Sequence, residues 1–366
     1  MQQSSKLILP LIATLAILSA CSQHDPINPN VCEPQGNLQP ICKFNSPEDL
    51  LALPDQRHLL VSEYGTYFDA NPGALVLFNP QTQTVEKLDL QTSPTEPLWL
   101  ESECSEAPGA EMSPHGINLS RRSNGALQLL VVNHAPRERI EWIELKPTNN
   151  TYSAHWRGCL YPPENAYINS VAATPEGGLV MTHMFPKDSP TIGTTALSVA
   201  LSTLGRPSGH VIEWQPETGF NHLEYTEGGF PNGILVSPEG RFMFVAYSTG
   251  NQVVKFDRIN AKPLEAVQVE KPDNLRWTEE GQILVVGSPI SGLEAIQCQE
   301  NSREGVQCAA GFEVTQLDPE LKESEKLFRH PGGPPMGGAT VAVQFKDDLY
   351  IGSFAGNRLL KLSTPH

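Results

Sequence analysis

Hydrophobic and polar positions alternate along this chain in a unit that recurs six times. Each unit opens on a polar residue, runs through a short alternating apolar strand, turns on polar residues that often include Pro or an acid with Gly, and ends in a β-rich apolar strand. The copies read EDLLALPDQRHLLVSE from Glu48, HGINLSRRSNGALQLLVVNH from His115, NSVAATPEGGLVMTH from Asn169, NGILVSPEGRFMFVAY from Asn232, DNLRWTEEGQILVVG from Asp273 and ATVAVQFKDDLYIGS from Ala339. Successive openers lie 41 to 67 residues apart. Alternation at period two marks half-buried strands. Repeats of this length holding several strands predict a β-propeller. Six copies predict six blades, so the expected fold class is all-β.

The register also makes a chemical prediction, because the first strand of each propeller blade lines the central channel. Residues at equivalent positions must then share one ring, and Glu48, Asn169, Asn232 and the Asp273–Asn274 pair converge on the axis. Five hard oxygen donors, two of them carboxylates, suit Ca²⁺, which takes about 6–8 oxygen ligands and leaves positions for water or substrate. Asn and Asp also open strands simply because they make turns. Turn chemistry accounts for each residue singly; a metal ring accounts for their common phase.

The start of the chain reads as an export signal over residues 1–20. Lys6 lies in a short polar stretch, and Leu7–Ala20 is an apolar run too short to span a bilayer. The run ends in LSAC at Leu18–Cys21, the lipoprotein processing pattern, in which Cys21 is lipidated and becomes the mature N-terminus. Ser22, rather than Asp, follows it and directs the expectation to the outer membrane of the cell envelope. A tether over 21–37 and one propeller domain over 38–366 complete the expected organisation. Membrane contact is expected through the N-terminal lipid, with no spanning element.

Composition narrows the partners. The 366 residues carry a net charge of −16 with no basic run, which argues against nucleic acid, whose phosphates need a positive surface. Six cysteines remain after Cys21 in an exported chain, and an even number there reads as a disulfide framework. Proximity favours Cys298–Cys308 and Cys32–Cys42, leaving Cys104–Cys159, and none has the paired CxxC spacing of a zinc site. There is no GxSxG turn for a serine nucleophile and no Gly-rich dinucleotide fingerprint. Phe185–Gly209 interrupts the third unit, with apolar spacing in TTALSVALSTL that fits a helix, either a lid or a packed connector. His330–Gly338 (HPGGPPMGG) is a loop ahead of the last unit.

The segments SPEDLLALP, SPHGINL, LLVVNH, INSVAATPEGG, FPNGILVSPEGRFMFVA, PDNLRW and GATVAV with DDLYIGSF span Ser46 to Phe354. In that order they resemble the paraoxonase/arylesterase group of six-bladed propellers. More broadly they resemble the senescence-marker/gluconolactonase and strictosidine-synthase-like superfamily. The resemblance implies a catalytic calcium held by Glu48, Asn169, Asn232, Asp273 and Asn274. It implies that His115, assisted by His134, acts on a water molecule near the metal, with His183 in a supporting position. Relatives often carry a second, buried calcium, for which Asp49 and the carbonyl of Ile117 are in place here, but Ser170 stands where the family has Asp. The family's bridge from the N-terminal segment to the last strand is also missing. Cys42 matches its first half while RLLKLSTPH at the C-terminal end has no cysteine, so the ring must close by strand pairing. The expected function is calcium-dependent hydrolysis of lactones or aryl esters, small-molecule substrates, at the cell envelope. The alternatives are a non-catalytic binding propeller with structural calcium and a sugar-lactone hydrolase.

Overall fold

Six units of four antiparallel strands account for nearly all the regular structure. The computed structural model describes residues 25–363 apart from 66–71, 94–96, 101–103, 105, 110, 194, 291–293, 295–296 and 299–305. The expected signal segment and Cys21 lie outside the described residues. From the channel outward, blade 1 contains Pro47–Ala52, Leu59–Glu63, Ala74–Asn79 and Thr84–Lys87. Blade 2 contains Pro114–Arg121, Leu127–Asn133, Arg139–Pro147 and Tyr152–Leu160, with Leu90–Gln91 added in parallel at its rim. Blade 3 contains Ala166–Ala173, Leu179–Pro186, Gly209–Gln215 and Gly219–Gly228. Blade 4 contains Pro231–Val236, Phe242–Tyr247, Gln252–Asp257 and Lys262–Gln268. Blade 5 contains Pro272–Trp277, Ile283–Gly287, Ala310–Leu317 and Ser324–Gly332.

Blade 6 joins the two ends of the chain. Its inner three strands are Ala339–Phe345, Asp348–Ser353 and Leu359–Ser363, and its outermost strand is Leu38–Ile41. Leu38 lies opposite Leu362 and Ile41 opposite Leu359. The ring thus closes by strand pairing, as the missing C-terminal cysteine requires, and Cys32–Cys42 flanks the closing strand. Cys104–Cys159 and Cys298–Cys308 are also bonded.

The core lies between blades. Leu60 and Leu77 of blade 1 meet Ile117 and Leu129 of blade 2, and five further apolar clusters repeat this contact around the ring to Val341 and Tyr350 against Leu50 and Val61. Sheets covered on both faces need continuous apolar strands rather than strict alternation. Accordingly every residue of Leu127–Asn133 is buried. Full burial of one such side chain is worth roughly 1.5–3 kcal/mol, so this packing leaves the channel free to hold polar groups.

Two segments lie outside the six blades. Part of the expected tether is docked: Ile27 is buried, and the Arg358 guanidinium donates to the carbonyls of Asn28, Pro29, Val31 and Pro335. Within the insertion of blade 3, Leu197–Ser202 forms a short helix. Among the described residues no helix is long and apolar enough to cross a membrane.

Candidate metal centre and histidine pair

Every innermost strand is irregular at the same place. The pairing register shifts between Pro47 and Asp49, Pro114 and Ile117, Ile168 and Val171, Pro231 and Ile234, Pro272 and Leu275, and Ala339 and Val341. A bulge re-aims side chains that a regular strand would send to its two faces in turn. In five of the six strands the slip falls on the predicted opener; in the last it falls on Thr340, one residue after Ala339. Neighbouring strands come so close there that a Cβ on Gly116 would lie 2.5 Å from the carbonyl oxygen of Asn169, and one on Gly233 would lie 2.5 Å from that of Asp273. Hydroxyls fasten the bulged backbone: Ser62 donates to the carbonyl of His115, Thr182 to that of Asn232, and Thr340 to that of Glu48.

The bulges bring the five predicted oxygen donors together at one mouth of the channel. Asn274 Nδ2 donates to Glu48 Oε1 across 2.8 Å, and Glu48 Oε1 lies 3.5 Å from His115 Nε2. Asn169 Nδ2 lies 3.4 Å from the same imidazole nitrogen, and Asn232 hydrogen-bonds Asp273. The amides thus spend their nitrogens on neighbours. Glu48 Oε2, Asn169 Oδ1, Asn232 Oδ1, Asp273 Oδ1 and Asn274 Oδ1 are buried with no hydrogen-bond partner among the described residues. Burial pushes the Asp273 carboxyl well above the usual carboxylate range, reinforced by the charges of Glu48 and Asp49. An unsatisfied buried acceptor costs about 1–3 kcal/mol. Left unsatisfied, five together would cost on the order of the whole stability of a domain. Such a set fits a hard cation, and two ring carboxylates match the charge of one divalent ion. Three of the five oxygens come from asparagine. Among the described residues no cluster of three or more histidine, cysteine or carboxylate side chains is arranged as a metal site.

The position beside Asp49 is filled from within the chain. Asp49 is fully buried, accepts the main-chain N–H groups of Leu50 and Ile117, and is ion-paired with Arg276. Arg276 also donates to the carbonyls of Leu50 at 2.7 Å, Ile117 at 3.1 Å and Leu275 at 2.7 Å. A guanidinium therefore occupies the neighbourhood of Asp49 and the Ile117 carbonyl, and it neutralises the third carboxylate of the channel. Burial raises the Asp49 carboxyl to about 6 despite that pairing.

His115 and His134 form a pair beside the ring, with His115 Nδ1 2.8 Å from His134 Nε2. The edge of Tyr64 packs on His115 at 4.9 Å between centroids, and Tyr167 stacks on His134 at 4.8 Å. Phe185 and then Phe230 continue this aromatic wall. His183 lies behind it, accepting the N–H of Tyr167 on Nδ1, and burial holds its pKa down to about 4. At the opposite mouth of the channel a groove of about 870 Å³ is lined in part by Trp99, Trp142, Trp214 and Trp277. It contains none of the ring residues.

Reading the sequence missed Arg276, Glu138, Tyr64 and Tyr167. Arg276 had a signal, for it stands two residues after Asn274 and so faces the same way along the strand. Glu138 lies in PRER, which reads as a solvated charged turn.

A family model for arylesterases matches residues 48–360, from the first ring residue to the closing strand. The chain belongs to the arylesterase family. Hydrolysis is the class of reaction that this membership supports. The arylesterase-family propeller is also similar to solved structures. A gluconolactonase from Xanthomonas campestris shares 14% identity, with 90% of this chain and 89% of that chain covered, at a TM-score of 0.51. A provisional gluconolactonase shares 12% identity over 89% and 91% of the two chains, at 0.50. A calcium-binding regucalcin from Agrobacterium tumefaciens shares 11% identity over 88% and 91%, at 0.47. The first two likenesses show the fold. No curated protein matches the sequence.

Proposed function

We propose that this arylesterase-family propeller is a calcium-dependent hydrolase of lactones or aryl esters, held at the cell envelope by lipid on Cys21. The observation that carries the reading is the set of five unpartnered buried oxygens beside His115 Nε2. Glu48, Asn169, Asn232, Asp273 and Asn274 would hold the ion. When bound, calcium supplies a Lewis acid that polarises the substrate carbonyl and stabilises charge on its oxygen. His115 accepts a proton from the attacking water at Nε2, the work of a general base near neutrality. The hydroxide adds to the carbonyl carbon, the carbon–oxygen ester bond breaks, and the departing oxygen takes up a proton. Tyr64, Tyr167 and Phe185 offer an apolar wall that favours acyl or aryl groups over sugars. The docked segment at Asn28–Val31 sits on the ring-bearing face, bonded by Arg358 from the loop after Ser353. Lipid on Cys21 would therefore turn the site mouth toward the membrane surface.

The test is turnover of aryl esters, aliphatic lactones and sugar lactones with and without calcium. His115→Gln should lower turnover by about 10²–10⁴-fold while keeping calcium binding. Absence of turnover on the whole panel at saturating calcium would overturn the hydrolase reading.

A further inference from the structure

The histidine pair does not end at His134. Glu138, buried in the loop after Leu127–Asn133, places Oε2 3.1 Å from His134 Nδ1 and 3.1 Å from Lys187 Nζ. Its other oxygen, Oε1, accepts the main-chain N–H of Ile168 at 2.8 Å. Burial works to raise this carboxyl, but His134 and Lys187 outweigh it and hold the group below its ordinary value, so it is ionised near neutrality.

An ionised carboxylate can only accept, so His134 Nδ1 must carry a proton. In a neutral ring the second nitrogen is then an acceptor, and His134 Nε2 must receive the proton of His115 Nδ1, 2.8 Å away. That leaves His115 Nε2 bare and facing the ring, where Asn169 Nδ2 approaches it at 3.4 Å. The opposite arrangement would point a proton from His115 Nε2 at Glu48 Oε1. That contact is 3.5 Å long, beyond good hydrogen-bond range, and Glu48 Oε1 already accepts from Asn274. The shorter contact to Glu138 decides the order.

We propose that Glu138 is a positioning residue that sets the tautomer of both imidazoles and leaves His115 Nε2 unprotonated toward the ring. Its effect on turnover rests on the hydrolase reading above; the tautomers do not. Glu138→Gln makes the proposal sharp. A carboxamide has one accepting oxygen and one donating nitrogen. The buried N–H of Ile168 requires the oxygen, whereas Lys187, with its side chain 35% exposed, can turn its ammonium to water, so the NH₂ group faces His134 Nδ1 and can only donate to it. His134 must then carry its proton on Nε2, and His115 must carry its own on Nε2, pointed into the ring. One nearly isosteric change inverts both rings.

Long-range ¹H–¹⁵N spectra of the imidazoles, recorded on the full chain near neutral pH, test this. The unmodified protein should show His115 and His134 both protonated at Nδ1. In Glu138→Gln both should shift to Nε2–H, with the circular-dichroism spectrum unchanged and calcium affinity within about twofold. Turnover should fall by roughly 10²-fold with KM changed little, and Glu138→Asp should restore part of it. An Nε2–H tautomer at either ring in the unmodified protein overturns the proposal even if the variant fails to fold. Unchanged tautomers in a folded Glu138→Gln overturn it as well. If the tautomers invert but the unmodified protein hydrolyses nothing, the positioning role stands and the hydrolase reading falls.

Discussion

Arg276→Met is the substitution that asks most of the channel. Methionine keeps the apolar stem and removes the guanidinium of a residue that is 5% exposed. Three main-chain carbonyls, those of Leu50, Ile117 and Leu275, then lose a donor. Asp49, with no exposed surface, keeps only the N–H groups of Leu50 and Ile117. Breaking a buried ion pair from one side typically costs about 3–5 kcal/mol, because the remaining charge stays buried. That is a large share of the roughly 5–15 kcal/mol that holds a domain folded. At about 2–4 °C per kcal/mol for a chain of this order of size, the melting point should drop by roughly 6–20 °C. Arg276→Met combined with Asp49→Asn removes both charges and should recover part of the loss. Urea unfolding of the two single variants and the double variant gives the coupling energy directly. A loss under about 1 kcal/mol for Arg276→Met, or strict additivity in the cycle, would refute the claim that this pair is a closed, desolvated unit.

Three further outcomes follow from the same geometry. Asp273→Asn removes one of two ring charges and should weaken calcium binding by roughly 10–100-fold, the scale of a charged hydrogen bond, and by more than Asn232→Ser; isothermal titration of chelator-treated protein compares them. His183 is held near 4 in the fold against an ordinary 6.5, so the unfolded chain takes up a proton first as pH falls. Stability should therefore decline between about pH 6.5 and 4, by up to about 3 kcal/mol. His183→Asn, which keeps an acceptor for the Tyr167 N–H, should flatten that decline in a pH series of urea midpoints. Cys21→Ser should release the protein from membranes or block its processing, and unchanged membrane retention in fractionation would count against lipidation.

The repeats were legible because both faces of each blade demand apolar strands, and the demand recurs six times. The ring was legible for the same reason: Glu48, Asn169, Asn232 and Asp273 hold one phase of that repeat. Pro47, Pro114, Pro231 and Pro272 mark it further, each standing one residue before a bulge. The pairing Cys32–Cys42 followed from separation alone. The partner of Asp49 was not legible, since nothing local distinguishes an arginine that enters a channel from one that coats a surface; the contact to Ile117 spans 159 residues. Glu138 was hidden differently. Its neighbours Arg137 and Arg139 suggest a solvated turn, and only folding shows Arg137 over Tyr161 and Arg139 paired with Glu141, leaving Glu138 to face His134.

The bulges explain how an ordinary strand repeat yields a ring of side-chain oxygens. Asp273 and Asn274 are consecutive, and in a regular strand one of them would point into the channel while the other was driven into a neighbouring blade. The slip between Pro272 and Leu275 lets a side-chain oxygen of each face the ring, and the slip between Pro47 and Asp49 gives Glu48 to the ring and Asp49 to Arg276. Each bulge forfeits ladder hydrogen bonds, worth about 0.5–1.5 kcal/mol apiece, and each orphaned oxygen adds to the cost. The six apolar clusters between blades offset both, since they lie outside the channel and are unaffected by how the inner strands begin. Packing and chemistry are thus carried by different residues of the same strand. For this reason the inner positions can carry a set of buried oxygens that an interblade core would exclude.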